Sequence, residues 1–212
     1  MLNRENAIQS LNNNQFKKLG DKAFFIKIKE IPFLKKINLR LDPNDTDCVS
    51  SFSKILGTML PTKANTYSTN AINEKVIWLG PNEWLIVSDD DDAFLKLLNE
   101  IGDLEASVTD VSENRTIIRI SGRYVNVLLS KFLVLDLEKN LSTDSSCAQT
   151  IFVKVPVLLV RNHYDGTPEI DIFTNRSHAN YIYNLIVDGT KNLDFYIFNC
   201  IFHNSLQFCF FF

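Results

Sequence analysis

Glycine is scarce in this sequence, with only 7 among 212 residues. Neither a G-x-G-x-x-G segment nor a G-x-x-x-x-G-K-[ST] segment is present. These are the loops whose glycines let the backbone approach dinucleotides and nucleotide phosphates. We therefore expect no flavin or nicotinamide cofactor to be bound wholly within this chain, and we assign no cofactor-binding residue.

Basic runs and long apolar runs at the N-terminus are also missing. The formal net charge is −3, and no basic run is longer than Lys17-Lys18 or Lys35-Lys36. A nucleic-acid-binding protein needs a basic patch for the phosphate backbone, so this class is disfavoured. The first residues have no apolar core of a secretory signal peptide. The sequence therefore predicts a cytoplasmic protein that binds neither nucleic acid nor membrane.

The four cysteines and three histidines lack the spacing of a metal site. The cysteines show no CxxC pair, and they lie far in sequence from the histidines. The cysteines are Cys48, Cys147, Cys200 and Cys209, and the histidines are His163, His178 and His203. No histidine is placed beside both a nucleophile and an orienting carboxylate. We expect reduced thiols, surface histidines, no metal ligand and no catalytic residue.

The stretch from Val108 to Leu137 shows how the chain is organised. From Arg115 to Ile120 the side chains alternate, with the two-residue period of a half-buried strand. After Ser121 and Gly122 the period becomes helical, with an apolar stripe at Val125, Leu128, Leu129 and Phe132. The pattern predicts a strand that leads directly into a helix.

The same strand, strand, helix unit recurs along the chain. Strands are predicted in pairs, and each pair is followed by an apolar helical stripe; the segments are 24–31, 37–41, 75–79, 83–87, 107–112, 115–120, 151–160 and 169–173. Such repetition favours an α+β fold of antiparallel sheets with helices packed on one face. We predict a first lobe at 1–103, a second lobe at 104–193 and an aberrant aromatic-rich tail at 194–212.

Several local details follow from breakers and caps. Asp47 is predicted to cap the first helix, with Met59 on its buried face and Pro61 ending it. Residues 62–73 are polar and unpatterned, which is typical of an exposed loop. Pro156 cannot donate to a strand ladder, so the strand at 151–160 should lie at an edge or break there.

Two more helices follow the later strand pairs. The second is expected to direct Leu98 toward the core and to stop at Gly102. The last is expected at 177–187, with Gly189 at its end.

Acidic residues offer alternative interpretations. The run from Asp89 to Asp92 is favoured as the charged first turn of a helix over a divalent-cation site, because calcium-loop spacing is missing. Asp110 and Asp136 resemble caps at the ends of elements rather than buried catalytic carboxylates. We assign a catalytic role to neither.

Aromatic and arginine side chains are the candidate contacts with a partner. Trp78 and Trp84 flank the turn at Gly80, and each is expected in the core or at an interface. Arginines can pair with acidic groups of another subunit, although ordinary intrachain pairing is the simpler interpretation. These arginines are Arg115, Arg119, Arg123 and Arg176.

Four blocks in order carry a family resemblance: LGPNEWLI at 79–86, the stretch at 108–137, CAQTIFVKVPVLLV at 147–160 and FTNRSHANYIYNLI at 173–186. Together they resemble the gamma subunit of heterotetrameric sarcosine oxidase, over roughly residues 70–190. The resemblance implies a fold like the first domains of the glycine-cleavage aminomethyltransferase. It also implies alpha, beta and delta subunits as partners, and flavins, NAD and tetrahydrofolate bound by those partners.

The resemblance leads to a function hypothesis with alternatives. The chain is interpreted as a non-catalytic gamma subunit of a complex that oxidatively demethylates sarcosine to glycine, passing the one-carbon unit to tetrahydrofolate or releasing formaldehyde. A related N-methyl amino acid dehydrogenase subunit, a stand-alone folate-binding or aminomethyltransferase-like protein, and a stand-alone scaffold are the alternatives.

Two further expectations concern surfaces. A subunit of this kind should expose a large apolar patch, which we expect within 107–190. The tail at 194–212 has a hydropathy close to that of a membrane span, but Asn199, His203 and Gln207 interrupt it. A spurious extension is the preferred interpretation, then a buried terminal strand and a tail anchor. Deletion after Leu193 should leave solubility and assembly unimpaired.

Overall fold

The computed structural model describes residues 5–8, 26–102, 104–162, 167–191 and 193. The tail at 194–212, His163 and His203 lie outside the described residues. The strands are β1 Lys27–Ile31, β2 Lys35–Leu41, β3 Tyr67–Thr69, β4 Lys75–Gly80, β5 Glu83–Ser88, β6 Ala106–Asp110, β7 Arg115–Ser121, β8 Cys147–Phe152, β9 Val155–Asn162 and β10 Glu169–Asn175. The helices are α1 Thr46–Leu56, α2 Ala93–Ile101, α3 Val125–Leu129, α4 Leu137–Asn140 and α5 Arg176–Thr190.

The strands form two antiparallel sheets of five strands each. Sheet A has the order β1-β7-β10-β9-β8, and sheet B has the order β3-β4-β5-β2-β6. Every strand pair in both sheets is antiparallel. The predicted α+β class with antiparallel sheets is therefore confirmed.

Among the described residues, three apolar clusters arrange the strands and helices in four layers. One cluster joins sheet A to α3 and α5, and a second joins sheet B to α1 and α2. The third lies between the sheets, where Ile117 and Phe173 of sheet A meet Ile77 and Leu85 of sheet B. Each sheet is thus covered by helices on one face and by the other sheet on its second face.

The prediction that β7 is half-buried is wrong. Ile118 and Ile120 face the helices, as the alternation predicts, but Ile117 on the opposite face is also buried. The second sheet covers that face, and a single-strand pattern carries no information about such a layer. Two of the β7 side chains on the inner face, Arg115 and Arg119, are charged and half-buried.

The boundaries of α1 differ from those predicted. Asp45, not Asp47, is the N-cap, and its carboxylate accepts hydrogen bonds from the Asp47 N–H at 3.1 Å and the Cys48 N–H at 3.0 Å. Gly57 ends the helix in the left-handed region at φ 61°, a conformation glycine adopts without strain. The helix therefore stops before Met59, which is 80% exposed rather than in the core.

The other helices also correct local predictions. Leu98 of α2 is exposed rather than buried. Gly189 does not end α5, because the helix continues to Thr190. A Cβ at Gly189 would lie 2.6 Å from Phe132 Cζ, so the missing side chain lets α5 pack closely there.

Two loop predictions are resolved by pairing. The strand predicted at 151–160 is broken into β8 and β9 by a hairpin at Val153-Lys154. The pairing of β9 with β10 runs from Leu158 to Asn162. Pro156 precedes this range, so its missing N–H removes no hydrogen bond from that ladder. The exposed-loop prediction for residues 62–73 is wrong at Tyr67, which is buried in β3.

The two sheets exchange strands across the predicted lobe boundary. β1 pairs with β7 in sheet A, and β6 pairs with β2 in sheet B. The division into lobes at 1–103 and 104–193 stays a prediction. Within the described ranges, no helix combines the length and apolarity needed to cross a membrane.

Candidate functional site

A group of charged side chains in contact with one another lies between the two sheets. Arg119 Nε donates to Asp171 Oδ1 at 2.6 Å, and Arg119 Nη2 donates to Asp171 Oδ2 at 2.8 Å. Arg119 Nη1 also lies 3.3 Å from Glu169 Oε1. Across the interface, Lys75 Nζ of sheet B lies 3.6 Å from Asp171 Oδ2 and donates to Asn162. We name these five residues the inter-sheet charge cluster.

Strand register builds this cluster. Arg119 of β7 lies directly opposite Asp171 of β10, and both belong to the face of sheet A that turns toward sheet B. Lys75 occupies the corresponding inner face of β4, two residues before Ile77. Directly opposed unlike charges stabilise an antiparallel pair. The cluster therefore joins neighbouring strands and also both sheets.

Burial sets the electrostatics of the cluster. The Asp171 side chain is 3% exposed, so an unpaired charge there would be strongly unfavourable. The hydrogen bond to Asp171 raises the pKa of Arg119 above its usual value. Burial lowers the pKa of Lys75, and the attraction of Asp171 opposes that shift. Because each cation contacts a carboxylate, the cluster is suited to holding the sheets together rather than to proton transfer.

Tyr67 extends the same contact toward β8 and β9. Its hydroxyl lies against the Asp144 carbonyl oxygen and 2.6 Å from the Arg161 carbonyl oxygen. Lys75 Nζ lies 5.5 Å from the centre of the Tyr67 ring. Burial, followed by the charge of Asp144, raises the pKa of Tyr67 to about 12. The hydroxyl is thus held in its neutral, donating form.

The two predicted tryptophan contacts lie in different environments. Trp84 is 1% exposed, and its indole N–H donates to the Pro61 carbonyl oxygen at 2.9 Å. This places Trp84 in the core between sheet B and its helices. Trp78 is half-buried and lies opposite Trp84 in the β4–β5 register. A partner contact at Trp78 stays a prediction.

The predicted arginines differ in exposure and in their contacts. Arg123 is exposed in the turn before α3. Arg176 Nη2 donates to the Glu5 carbonyl oxygen at 2.7 Å, and its Nη1 lies 3.8 Å from Glu113. Arg115 is half-buried, and burial lowers its pKa while Glu83 acts in the opposite direction. Arg115 lies opposite Asn175 in the strand register, so its backbone is next to that of Arg176. The contacts of all three arginines with a partner stay predictions.

The acidic run from Asp89 to Asp92 begins α2. Asp90 accepts a hydrogen bond from the Asp92 N–H at 2.9 Å and pairs with Lys96. Asp92 occupies the N-cap position without a side-chain cap bond. Among the described residues, no group of three or more potential ligands could hold a metal ion. The location of the run at a helix start is as predicted.

Asp136 and Asp110 also lie at ends of elements. Asp136 caps α4 by accepting from the Lys139 N–H at 3.1 Å. Asp110 ends β6, accepts from the Ser112 N–H at 2.9 Å and lies 3.8 Å from Lys35. Both carboxylates thus have the structural role that the sequence favours.

Cysteine and histidine side chains are buried more than expected. Cys48 and Cys147 are buried free thiols, and burial raises the pKa of Cys147 to about 12. Cys200 and Cys209 lie outside the described residues. The surface prediction for His178 is wrong in part, because its Nδ1 atom is buried without a hydrogen-bond partner.

An exposed apolar surface lies at the β8–β9 hairpin. Leu133 and Phe152 form an antiparallel bridge, which sets Val134 beside Ile151. Val134 is fully exposed, Ile151 is 59% exposed and Val153 is 45% exposed. We name Val134, Ile151 and Val153 the hairpin surface.

Val153 also has unfavourable backbone geometry. Its φ is 58°, in the left-handed region that β-branched residues avoid. The hairpin surface therefore combines local strain with exposed aliphatic side chains, a combination that its own fold does not explain.

Sequence reasoning missed both groups. A charged residue within the apolar EIDIF segment of β10 was a usable signal for Asp171, because buried carboxylates need partners. Ile151, Phe152 and Val153 are three consecutive apolar residues, so the sequence offers no alternation that would tell the exposed side chains from the buried one.

Comparison with known proteins identifies the family. The family described as "Sarcosine oxidase, gamma subunit family" matches residues 40–192. The chain belongs to this family.

Curated relatives in the gamma subunit family agree with that match. The sarcosine oxidase subunit gamma of Corynebacterium sp. strain P-1 is 27% identical over 143 residues, covering 67% of this chain and 70% of the relative. That of Corynebacterium sp. strain U-96 is 27% identical over 171 residues, covering 80% of each.

Solved structures share the fold. A chain of heterotetrameric sarcosine oxidase from Corynebacterium sp. U-96 has a TM-score of 0.70 and 22% identity, covering 77% of this chain and 83% of that one. The aminomethyltransferase T of the glycine cleavage system from Bartonella henselae has a TM-score of 0.61 and 15% identity, covering 77% of this chain and 45% of that one. The expected likeness to the aminomethyltransferase fold is confirmed.

Proposed function

We propose that this gamma-family chain is a non-catalytic subunit of a sarcosine-oxidase-type complex, in which it supplies contact surface and stability. The fold match that covers 77% of this chain and 83% of a chain from a heterotetrameric oxidase carries the proposal. The partners would be alpha, beta and delta subunits, mainly the large flavin-bearing ones. The complex would demethylate sarcosine to glycine and transfer the one-carbon unit to tetrahydrofolate or release it as formaldehyde.

Cofactors belong to the partners in this proposal. Flavin and NAD need loops in which glycines allow the backbone to approach phosphates, and this sequence has no such segment. In the inter-sheet charge cluster, the carboxylates are paired with Arg119 and Lys75. These charged groups are therefore already engaged within the chain and are poor candidates for binding a cofactor. The isolated chain should therefore be colourless, with no stoichiometric flavin absorbance after purification.

The hairpin surface supports a role in assembly. Its three aliphatic side chains lie in the second half of the chain, where an apolar contact patch is predicted. Burying such side chains in a partner contributes about 25 cal/mol per Å² of apolar area removed from water. A stable subunit contact buries roughly 1,000 Å² or more in total, so further residues must extend this surface.

Co-expression tests the proposal. The tagged chain should elute from gel filtration with the flavin-bearing subunits at fixed stoichiometry. Val134→Asp should reduce co-elution without affecting the fold, because Val134 is fully exposed. The matched control is Leu95→Asp, an equally drastic change at an exposed leucine of α2. The proposal is contradicted if the chain elutes as a monomer apart from those subunits and if the remaining subunits oxidise sarcosine fully without it.

A stand-alone folate-binding or aminomethyl-transferring protein is the second candidate. The fold likeness to aminomethyltransferase T supports it, although this chain corresponds to 45% of that chain. Tetrahydrofolate binding by the isolated protein, measured by calorimetry, distinguishes this candidate from the subunit proposal. A subunit of a related N-methyl amino acid dehydrogenase would instead co-elute with its partners and differ in the oxidised substrate.

A further inference from the structure

A recess of about 320 Å³ lies on the outer side of sheet B, between the C-terminal end of α1, the loop at 70–74 and α2. Its apolar wall includes Leu56, Ile86 and Leu97, which are all buried. Because a liquid water molecule occupies about 30 Å³, the recess has room for roughly ten waters or a compact ligand of similar size. We name it the α1–α2 recess.

A fixed carboxylate forms part of this recess. Asn70 Nδ2 donates to Glu74 Oε2 at 2.6 Å, and the Ser88 hydroxyl donates to Glu74 Oε1. The side-chain oxygen of Asn70, Oδ1, accepts from the Glu74 backbone N–H at 2.9 Å. Asn70 therefore fixes both the backbone and the carboxylate of Glu74. Both donors are neutral side chains, and together they fix the position of the Glu74 carboxylate.

The surrounding electrostatics favour a cation. The lining contains the carboxylates of Glu74 and Asp90 against the single ammonium of Lys96, and Lys96 is already paired with Asp90. Helix α1 also ends at the recess with Leu56 and Gly57. The C-terminal end of a helix carries partial negative charge; the Leu56 carbonyl oxygen there also accepts from Asn70 Nδ2 at 3.0 Å.

We propose that the α1–α2 recess binds a small organic ammonium with a compact aliphatic group. The ammonium would lie against the Glu74 carboxylate, and the aliphatic group would pack on Leu56, Ile86 and Leu97. Ligand sites are generally apolar cavities with a few polar groups that set orientation. An amino acid zwitterion fits less well, because its carboxylate would meet Glu74 and Asp90.

The test uses cyclohexylmethylammonium and its neutral analogue cyclohexylmethanol as probes on the full chain, with binding followed by calorimetry and ligand-observed NMR. The ammonium should bind at least about fivefold more tightly than the alcohol, as a charge-assisted hydrogen bond provides. Glu74→Gln should weaken ammonium binding at least about fivefold and leave the alcohol unchanged. Glu100→Gln, on the exposed side of α2, is the matched control and should change neither.

Lys96→Gln keeps the proposal testable if Glu74→Gln fails to fold. Lys96 is exposed, and its removal takes away a charge that repels the ligand. This variant should bind the ammonium at least about twofold more tightly. Equal binding of the two probes, binding unaffected by both substitutions, or no saturation by about 10 mM ammonium overturns the proposal. The measurements need no partner subunit, so their failure leaves the subunit proposal untouched.

Discussion

Arg119 and Asp171 form a bidentate ion pair across neighbouring strands, with Nε–Oδ1 and Nη2–Oδ2 distances of 2.6 and 2.8 Å. The two residues are 52 positions apart in sequence. Lys75 of the other sheet approaches the same carboxylate to 3.6 Å. One buried aspartate therefore balances cations from both sheets, and its removal should affect the packing of one sheet on the other.

Asp171→Asn should lower the free energy of unfolding by about 3–5 kcal/mol, because it leaves two cations short of their carboxylate in a buried site. Urea unfolding followed by tryptophan fluorescence measures the loss. Asp89→Asn, an exposed change of the same kind, should stay within about 0.5 kcal/mol of the wild type. A loss at Asp171 below about 1 kcal/mol would mean that the pair behaves like a solvent-exposed one.

Tyr67 should make the protein less stable in strong alkali. Its pKa is raised from 10.0 to about 12 by burial first, so the folded state retains a proton that the unfolded state releases. The stabilising contribution is complete below pH 10 and is lost as the pH rises toward about 12, with a slope of up to about 1.4 kcal/mol per pH unit.

The variant Tyr67→Phe isolates that slope. It lacks the titrating hydroxyl, so the difference in unfolding free energy between wild type and variant should shrink as the pH rises from 10 toward about 12. Cys147, whose pKa is also raised to about 12, interacts with Tyr67, so the two proteins are compared in a Cys147→Ala background. A difference that stays constant across this pH range would show that the Tyr67 pKa is not raised by folding.

Val153→Asn should stabilise the isolated chain by about 1 kcal/mol. Val153 has φ 58°, where a left-handed conformation costs about 1–2 kcal/mol for most residues and asparagine is better tolerated. Thermal unfolding measures the gain. The neighbouring change Lys154→Asn serves as the control and should have little effect, since Lys154 is an exposed turn residue without positive φ. A destabilised Val153→Asn variant would show that packing of the valine side chain stabilises the isolated chain by more than the backbone strain costs.

Gly189→Ala should destabilise the protein by up to about 2 kcal/mol. A methyl group there would lie 2.6 Å from Phe132 Cζ and 3.0 Å from Leu128 Cδ1. Overpacking of this kind generally costs about 1–3 kcal/mol, which exceeds the gain of about 1 kcal/mol from placing alanine in a helix.

Gly80→Ala provides the comparison for Gly189→Ala. A methyl group at Gly80 has Glu83 Cβ at 3.7 Å, an ordinary contact distance, so this change should cost less. Chemical unfolding of both variants ranks them. A more stable Gly189→Ala protein would show that the Phe132 ring moves aside without loss of its 5.0 Å stacking on Phe152.

Local periodicity in the sequence determined the elements of this fold. The change from a two-residue to a helical period after Ser121 places β7 and α3 correctly, because side-chain direction follows backbone geometry within one element. The repeated strand, strand, helix unit likewise indicated antiparallel sheets with helices. The ends were less certain, since Asp45 and Asp47 are both suitable caps and the backbone conformation chose Asp45.

Only the tertiary structure decided which elements lie together and which surfaces stay exposed. Nothing local in sequence joins Arg119 to Asp171, or either of them to Lys75; the order of strands and the stacking of the sheets do so. A buried charge is tolerated only beside its partner. The exposure of Ile151 beside buried Phe152 similarly depends on what covers the hairpin. Pairing and burial are long-range properties, so a single strand pattern carries no record of them.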